Sequence, residues 1–216
     1  MVETQAARTL FQAAYENRYT WDKEFPGFTA DVALKQGDET YAGNVRVNGD
    51  LSYEVLEVAD EKVRESLQGM LWEIVTHRQR NSFEQAHGKN NFSLGDTDTT
   101  GAVEVLVSGD AMGSNYKLRN NEICQVSRVM SGNAFTINHS SSLDTGSGYI
   151  STGYDIVFRN AESGDLIRES RVDSTYENVG GYYLLTHQMI HASQQGEQTT
   201  TEFSLANIHL LQPVGV

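Results

Sequence analysis

The chain has 216 residues, of which 38% are hydrophobic and 21% charged, and its formal net charge is −13. An acidic surface repels phosphate groups, so this charge argues against nucleic-acid-binding proteins and against proteins that adhere to anionic membranes. Two prolines against 19 glycines suit long hydrogen-bonded strands joined by glycine turns. The length fits one large β-rich domain, and we predict a single domain over residues 1–216.

The cysteine content and the hydropathy of the chain indicate the cellular compartment in which the protein resides. Cys124 is the only cysteine, so an intramolecular disulfide is excluded, and we interpret it as a small apolar side chain on a strand. The N-terminus shows no apolar signal-peptide segment, and no apolar run approaches the length of a membrane span. These features predict a cytoplasmic protein with no membrane span.

The first predicted element is a helix over residues 4–19, with Thr4 as its N-cap. Its apolar residues recur at three- and four-residue intervals, which gives one buried stripe. These residues are Ala6, Ala7, Leu10, Phe11, Ala14 and Tyr15. The pattern breaks at the Phe-Pro-Gly sequence of residues 25–27, and three alternating strands are predicted to follow as a meander.

A second helix is predicted over residues 60–77, with Asp60 as its N-cap. From residue 102 onward the chain alternates apolar and polar residues, which predicts almost continuous strand. The polar segment 138–148 is predicted as a loop or hairpin tip.

A turn signal recurs between these segments: a polar or small residue, a glycine and an acid. It occurs at residues 36–38, 48–50, 108–110, 163–165 and 195–197. Glycine readily takes the positive φ of tight hairpin turns. We therefore predict an α+β fold that is predominantly antiparallel β: a large curved sheet or half-barrel of nine or ten strands. An N-terminal helix and one internal helix are predicted to pack on its concave face.

Neither catalytic nor metal-binding motifs stand out. His187 and His191 fall on a predicted strand, where their side chains stand roughly 13 Å apart at about 3.3 Å per residue and do not share one metal. No nucleophile elbow, phosphate-binding loop or zinc-protease motif occurs. We predict no catalytic residues, no metal and no cofactor, and we leave enzymatic activity open while leaning against it.

One basic segment lies in this acidic chain, at residues 77–89, and contains Arg78, Arg80, His87 and Lys89. These cations either complement the dipole at the end of the second helix or contact a carboxylate or phosphate of a ligand or partner. The first interpretation is favoured, but only by a small margin, because His87 and Lys89 lie beyond the predicted helix end and outside the range of its dipole.

Aromatic residues on or beside strands are candidates for a binding surface. If the sheet closes over its helices, they form the core; if it stays open, they line an apolar cavity suited to a lipid, pigment or isoprenoid. The candidates are Trp21, Tyr154 and Tyr183, together with Trp72 at the margin of the second helix's apolar stripe.

Several long segments resemble a family of unknown function found in cyanobacteria and plant plastids, the domain of unknown function 3386. They are YENRYTWDKEFPGFTADVALKQGDETYAGNVRVN, HRQRNSFEQAHGKNNFSLGDTDTTGAVEVLV, AMGSNYKLRNNEI, YENVGGYYLLTHQMIH and TTTEFSLANIHLL. The resemblance covers nearly the whole chain and implies a photosynthetic setting. The FPGF turn and the GGYYLL strand are also similar, more loosely, to lipoprotein carriers with an unclosed β-barrel, which implies a shape and not a cargo.

Three functional hypotheses follow. The first is a non-enzymatic protein that holds a hydrophobic ligand on the apolar face of a β half-barrel. The second is an interaction or assembly factor for the photosynthetic apparatus, whose basic segment contacts an acidic protein partner. The third, and weakest, is an enzyme such as a pigment-modifying lyase or isomerase that uses Cys124 or a buried histidine.

Overall fold

The computed structural model describes residues 2–109 and 114–212. This part of the chain contains three α-helices and twelve β-strands. The helices are α1 (Val2–Glu16), α2 (Glu61–Arg78) and α3 (Phe83–His87). The strands are β1 (Gly27–Gln36), β2 (Glu39–Asn48), β3 (Tyr53–Leu56), β4 (Asn91–Thr97), β5 (Val103–Ser108), β6 (Ser114–Arg119), β7 (Glu122–Met130), β8 (Asn133–Asp144), β9 (Tyr149–Asn160), β10 (Leu166–Val179), β11 (Tyr182–Gln194) and β12 (Glu197–Leu210).

The strands form one antiparallel sheet in the order β3-β2-β1-β12-β11-β10-β9-β8-β7-β6-β5-β4. The order begins at β3 and ends at β4, so the sheet is open and does not close on itself. Every consecutive pair from β4 to β12 is adjacent, because short turns force antiparallel neighbours. The predicted fold class, α+β with a predominantly antiparallel sheet, is confirmed.

The glycine-acid signals fall between strands as predicted, with residues 110–113 outside the described part. The hairpin turn between β6 and β7 contains no glycine, so the glycine-acid signal did not predict it. Asn120 and Asn121 join β6 to β7 with φ angles of 54° and 60°. Positive φ at both central residues is the type I′ geometry, which asparagine tolerates well.

Three sequence predictions about elements are wrong. The first helix begins at Val2 and ends at Glu16, so Thr4 lies inside it and is not its N-cap. The segment 138–148 is mostly strand, because its polar residues pair in the β8–β9 hairpin and only residues 145–148 form the turn. The described residues contain twelve strands and three helices rather than nine or ten strands and two helices.

The additional helix, α3, has only five residues, which is too short for a periodic apolar pattern. Its N-terminus is a capping box. The Ser82 side chain accepts a hydrogen bond from the Gln85 backbone N–H, and the Gln85 side chain accepts one from the Ser82 N–H. The predicted N-cap of α2 is confirmed, since the Asp60 carboxylate accepts bonds from the backbone N–H groups of Lys62 and Val63.

The described residues divide into two compact units, and the prediction of a single domain stays a prediction. Unit 1 comprises the described residues of Met1–Tyr19, Asn81–Arg171 and Ala192–Gln198. In its core, α1 and α3 pack together and α1 packs on β4, β6 and β7. Phe11 lies at the centre of this core, with its ring centroid 4.5 Å from that of Tyr116 and 5.4 Å from that of Phe92.

Unit 2 comprises Thr20–Arg80, Val172–His191 and the described residues of Thr199–Val216. In this unit α2 packs against β3, with its apolar stripe buried. The largest fully buried side chains of unit 2 are Phe28, Phe203, Leu34, Leu67, Leu71, Leu184 and Leu185. Both units therefore have hydrophobic cores formed by their own side chains.

Candidate functional site

Three β-bulges occur at one level of the sheet in unit 1. The pairing of β6 with β7 shifts between Lys117 and Leu118, which leaves Cys124 as the extra residue on β7. The pairing of β8 with β9 shifts twice, which leaves Ser140 unpaired on β8 and Thr152 unpaired on β9. A bulge changes which side of the strand the following residues face, and bulges are over-represented beside functional sites.

A pocket of about 180 Å³ lies at these bulges. We call it the bulge pocket. It is lined by Arg119, Asn120, Glu122, Ile123, Cys124, His139, Ser140, Ser141, Ser142, Tyr149 and Ser151. All these residues belong to unit 1, and most of the side chains are polar.

His139 and Ser151 form a partly buried polar contact in the bulge pocket. Their Nδ1 and Oγ atoms are 2.6 Å apart. Burial lowers the pKa of His139 from 6.5 to about 4, so the imidazole is neutral at neutral pH. A serine beside a histidine can form a nucleophile and its base, but a base with so low a pKa is poorly matched to neutral pH. The pair is therefore better suited to binding than to acyl transfer.

The Tyr149 hydroxyl forms another wall of the pocket. It accepts a hydrogen bond of 3.0 Å from the backbone N–H of Ile123. Burial raises the pKa of Tyr149 to about 12, which keeps the hydroxyl protonated and able to donate. Burial also raises the pKa of the Cys124 thiol, whose Sγ donates to the Lys117 carbonyl oxygen at 3.3 Å. The raised pKa disfavours the thiolate at neutral pH, and the interpretation of Cys124 as a small apolar strand residue stays a prediction.

Charged side chains lie at the β6–β7 turn of the bulge pocket. Arg119 and Glu122 are directly opposite each other in the strand pairing. The Glu122 carboxylate accepts a hydrogen bond from the Ser142 hydroxyl at 3.2 Å. The Arg119 guanidinium makes no hydrogen bond or ion pair with any residue of the described part, so its donors are available to a ligand. The β6–β7 turn and the adjoining bulge place Glu122 in the pocket.

An apolar surface continues from the pocket along β7, β8 and β9. Val126 pairs with Ile137, and Ile137 pairs with Ile156. In the next row, Phe135 pairs with Phe158, with ring centroids 5.8 Å apart. We call these five side chains the apolar rows.

The apolar rows lie on the core-facing side of the sheet. Val126 pairs with the buried Tyr116 and packs against the core that contains Phe11. All five side chains of the rows are nevertheless only half-buried, whereas the same face is fully buried at Val105 and Tyr116. Helix α1 packs on β4, β6 and β7, and the rows extend the face beyond these strands. On β8 and β9 the apolar face is therefore only partly covered by the protein's own side chains.

The opposite face of the same strands carries several polar pairs, together with the apolar Val129, Ala134 and Val157. The Gln125 amide donates to the Asn138 amide oxygen at 2.7 Å, and Ser127 lies 3.2 Å from Thr136. This alternation is the pattern of an antiparallel sheet with one face in solvent.

His139 and Tyr154 connect the apolar rows to the bulge pocket. They are direct partners in the β8–β9 pairing, with ring centroids 5.8 Å apart, and His139 is two residues from Ile137. Residues two apart on a strand face the same side of the sheet, so His139 and Ile137 lie on the same face. Among the predicted site residues, Tyr154 is therefore the one that lies at the candidate site.

Three predicted site residues come together in unit 2. The Trp21 indole N–H donates to the Tyr183 carbonyl oxygen at 3.3 Å, and the Trp21 backbone N–H donates to the Arg78 carbonyl oxygen at 2.9 Å. Trp21 is buried and stacked on Phe25 at 4.1 Å. Arg78 is also buried, and its guanidinium donates to the Tyr176 hydroxyl at 3.3 Å. These contacts stabilise the fold of unit 2, and the predicted binding role of the three residues stays a prediction.

The remaining predicted site residues lie apart from the pocket. Trp72 is 57% exposed on α2, and Arg80 and Lys89 are exposed. His87 lies between the rings of Phe11 and Tyr15 at centroid distances of 5.0 and 4.9 Å. Burial, followed by the charges of Arg18 and Arg128, lowers the pKa of His87 to about 4. His87 is thus uncharged at neutral pH and adds nothing to the positive charge of the basic segment.

Sequence reasoning missed the residues of the bulge pocket. A run of serines such as 140–142 carries no hydrophobic signal, and a bulge interrupts the alternation on which strand predictions depend. The one available signal was the serine run between alternating segments, which was interpreted as a loop.

Within the described residues, no group of three or more histidine, cysteine or carboxylate side chains is arranged to hold a metal ion. In the same ranges, no helix is long and apolar enough to cross a membrane.

Comparisons with solved structures give distant likenesses. One is a DUF1329 family protein from Desulfovibrio piger, with 10% identity, a TM-score of 0.33, and coverage of 99% of this chain and 95% of that one. Another is a putative outer membrane lipoprotein-sorting protein domain from Vibrio parahaemolyticus, with 9% identity, a TM-score of 0.33, and coverage of 98% and 95%. The MucA/MucB complex of Pseudomonas aeruginosa matches with 9% identity, a TM-score of 0.26, and coverage of 96% and 99%. These scores are low, and we base no conclusion on them.

No curated protein matches the chain. The family described as a protein of unknown function, DUF3386, matches residues 2–211, which is nearly the whole chain. The chain therefore belongs to the DUF3386 family.

Proposed function

We propose that this protein is a non-enzymatic binding protein that holds the apolar chain of a small ligand on the apolar rows. The observation that carries the proposal is the partial exposure of five apolar side chains on the core-facing side of the sheet. On β5 and β6 the same face lies in the core with α1, where Val105, Val107, Tyr116 and Leu118 are buried, whereas on β8 and β9 it retains accessible apolar area.

The shape of the exposed surface favours a chain-like ligand. On β8 and β9 the apolar rows consist of two side-chain pairs, Ile137 with Ile156 and Phe135 with Phe158. The polar His139 follows them along β8. A narrow apolar strip that ends in a polar pocket matches a lipid or isoprenoid, with one apolar end and one polar end. A protein partner would bury a broader surface, typically about 800 Å² on each side.

The setting of this binding protein is part of the proposal. The single cysteine, Cys124, is protonated and half-buried, which suits a reducing compartment such as the cytoplasm. The net charge of −13 disfavours adhesion to anionic membrane surfaces, so the ligand would be held in water rather than at a bilayer. A photosynthetic host would make pigments and isoprenoids the first ligands to examine.

A chain-length series tests the proposal. Each methylene transferred from water to the apolar rows contributes about 0.8 kcal/mol, so affinity should rise by up to about fourfold per methylene. Isothermal titration with hexanol, octanol and decanol measures this dependence. The double variant Ile137→Thr/Ile156→Thr should bind decanol about tenfold more weakly, because it removes apolar contact while keeping β-branched side chains.

Val157→Thr is the matched control. Val157 lies next to Ile156 on β9 and pairs with Thr136 on the polar face. It should bind decanol within about twofold of the unmodified protein. Affinity that does not depend on chain length, or equal weakening in both variants, would reject the apolar rows as the binding surface.

A further inference from the structure

The bulge pocket and the apolar rows are continuous through His139. Its ring belongs to the face of the rows, and its Nδ1 lies 2.6 Å from Ser151 in the pocket. A ligand whose apolar chain lies on the rows would therefore have its polar end at the pocket. The class of that polar end can be inferred from the side chains that line it.

The pocket has balanced charge. Arg119 and Glu122 face each other across the β6–β7 hairpin, so their opposite charges offset each other. His139 and Tyr149 are neutral at neutral pH. Neither an anionic nor a cationic group would find a net countercharge among these side chains.

The pocket is rich in groups that both donate and accept hydrogen bonds. The hydroxyls of Ser140, Ser141, Ser142 and Ser151 lie in or along it, and a hydroxyl offers one donor and two acceptor positions. The Tyr149 hydroxyl accepts from the Ile123 N–H and retains its proton as a donor. A ligand that alternates donors and acceptors over a small volume satisfies such a lining best.

We propose that the bulge pocket binds an uncharged, hydroxyl-bearing headgroup, such as a monosaccharide or a polyol, of an amphipathic ligand whose chain lies on the apolar rows. This inference rests on the proposed function for its apolar half. Arg119 and Glu122 would bind the hydroxyls from one side of the pocket, and His139 and the serines of β8 and β9 from the other.

Four ligands with the same decyl chain test the headgroup: decyl glucoside, decanol, decanoate and decyltrimethylammonium, each titrated below its critical micelle concentration. Decyl glucoside should bind about tenfold more tightly than decanol, which corresponds to about two additional net hydrogen bonds. Decanoate and decyltrimethylammonium should bind no more tightly than decanol.

Paired variants locate the effect. Arg119→Ala/Glu122→Ala should reduce the preference for glucoside over decanol to within about twofold, because the glucoside has more hydroxyls to lose contacts than the single hydroxyl of decanol. The matched control is Arg171→Ala/Asp155→Ala, an exposed charge pair on the polar face of the same unit. The control should keep the full preference.

The outcomes separate the two proposals. If decanol binds but decyl glucoside has no advantage, the headgroup inference is overturned and the binding function stands. Tightest binding by decanoate or by decyltrimethylammonium overturns it in favour of a charged headgroup. If none of the four ligands binds, the proposed function itself fails, and the headgroup inference fails with it.

Discussion

Phe11 is the largest fully buried side chain of α1 and lies in the core of unit 1. Its side chain is fully buried, and its ring packs on those of Phe83, Phe92 and Tyr116. Removing a buried phenylalanine ring loses its transfer free energy and leaves a cavity. We expect Phe11→Ala to lower the free energy of unfolding by about 3–5 kcal/mol in urea denaturation.

The neighbouring Leu10 provides the control for this prediction. It lies on the same helix but is 36% exposed, so Leu10→Ala should change the free energy of unfolding by about 0.5 kcal/mol. Equal effects of the two substitutions would mean that α1 does not pack through Phe11.

His139 and His87 make the folded state sensitive to acid. Burial lowers the pKa of each from 6.5 to about 4 in the folded state. Between these values the unfolded state binds more protons than the folded state, so the free energy of unfolding falls as pH falls from about 6.5 toward about 4. Below about pH 4 this contribution no longer changes with pH.

Urea denaturation at several pH values measures this effect. The variant His139→Gln removes one of the two titrating groups while keeping a polar side chain, so its free energy of unfolding should depend less steeply on pH between about 6.5 and 4. Carboxylates titrate equally in both proteins and cancel in the comparison. Identical slopes would show that His139 is not buried in its neutral form.

At the scale of elements, Gly148 allows the end of α1 to approach the start of β9. Its φ is +133°, and a Cβ there would lie 2.7 Å from the Asn17 carbonyl oxygen and 2.8 Å from the Tyr19 nitrogen. The same backbone groups form hydrogen bonds with the backbone of Tyr149. The Tyr149 N–H donates to the Asn17 carbonyl oxygen, and the Tyr149 carbonyl oxygen accepts from the Tyr19 N–H, each at 2.9 Å. This close approach holds Tyr149 in the wall of the bulge pocket.

Gly148→Ala and Gly146→Ala test this approach as a pair. Gly146 also has a positive φ, of +81°, but a Cβ there meets nothing within 4 Å. Gly146→Ala should lower the free energy of unfolding by about 1–2 kcal/mol, from backbone strain alone. Gly148→Ala should lower it by at least about 2 kcal/mol more, because backbone atoms of residues 17–19 must also move. Thermal or urea denaturation measures both, and equal costs would contradict the close packing of residues 17–19 on β9.

At the scale of the whole molecule, the strands were predictable because turn chemistry and alternation are local. The Asp60 cap and the glycine-acid turns come directly from residue type. Helix α3 and the segment 138–148 were not predictable in this way. A five-residue helix has no period to detect, and a polar strand pair such as β8–β9 depends on partners that are distant in sequence.

The candidate site was predictable only in part. An open apolar face is one of the two alternatives that the sequence leaves for its aromatic residues, and Tyr154 is one of the candidates for it. The bulge pocket depends on register shifts at Cys124, Ser140 and Thr152, which no local pattern shows. Trp21 and Arg78 were chosen by residue type, and the structure places both in buried contacts of unit 2.

The central claim is that the partly exposed apolar rows bind an apolar chain. Its most direct test is a methyl NMR titration of the isotope-labelled protein with decanol. The δ-methyl signals of Ile137 and Ile156 should shift progressively with ligand, while those of the fully buried Ile150 should stay within a small fraction of that change. Saturable binding with unmoved Ile137 and Ile156 signals would contradict the account.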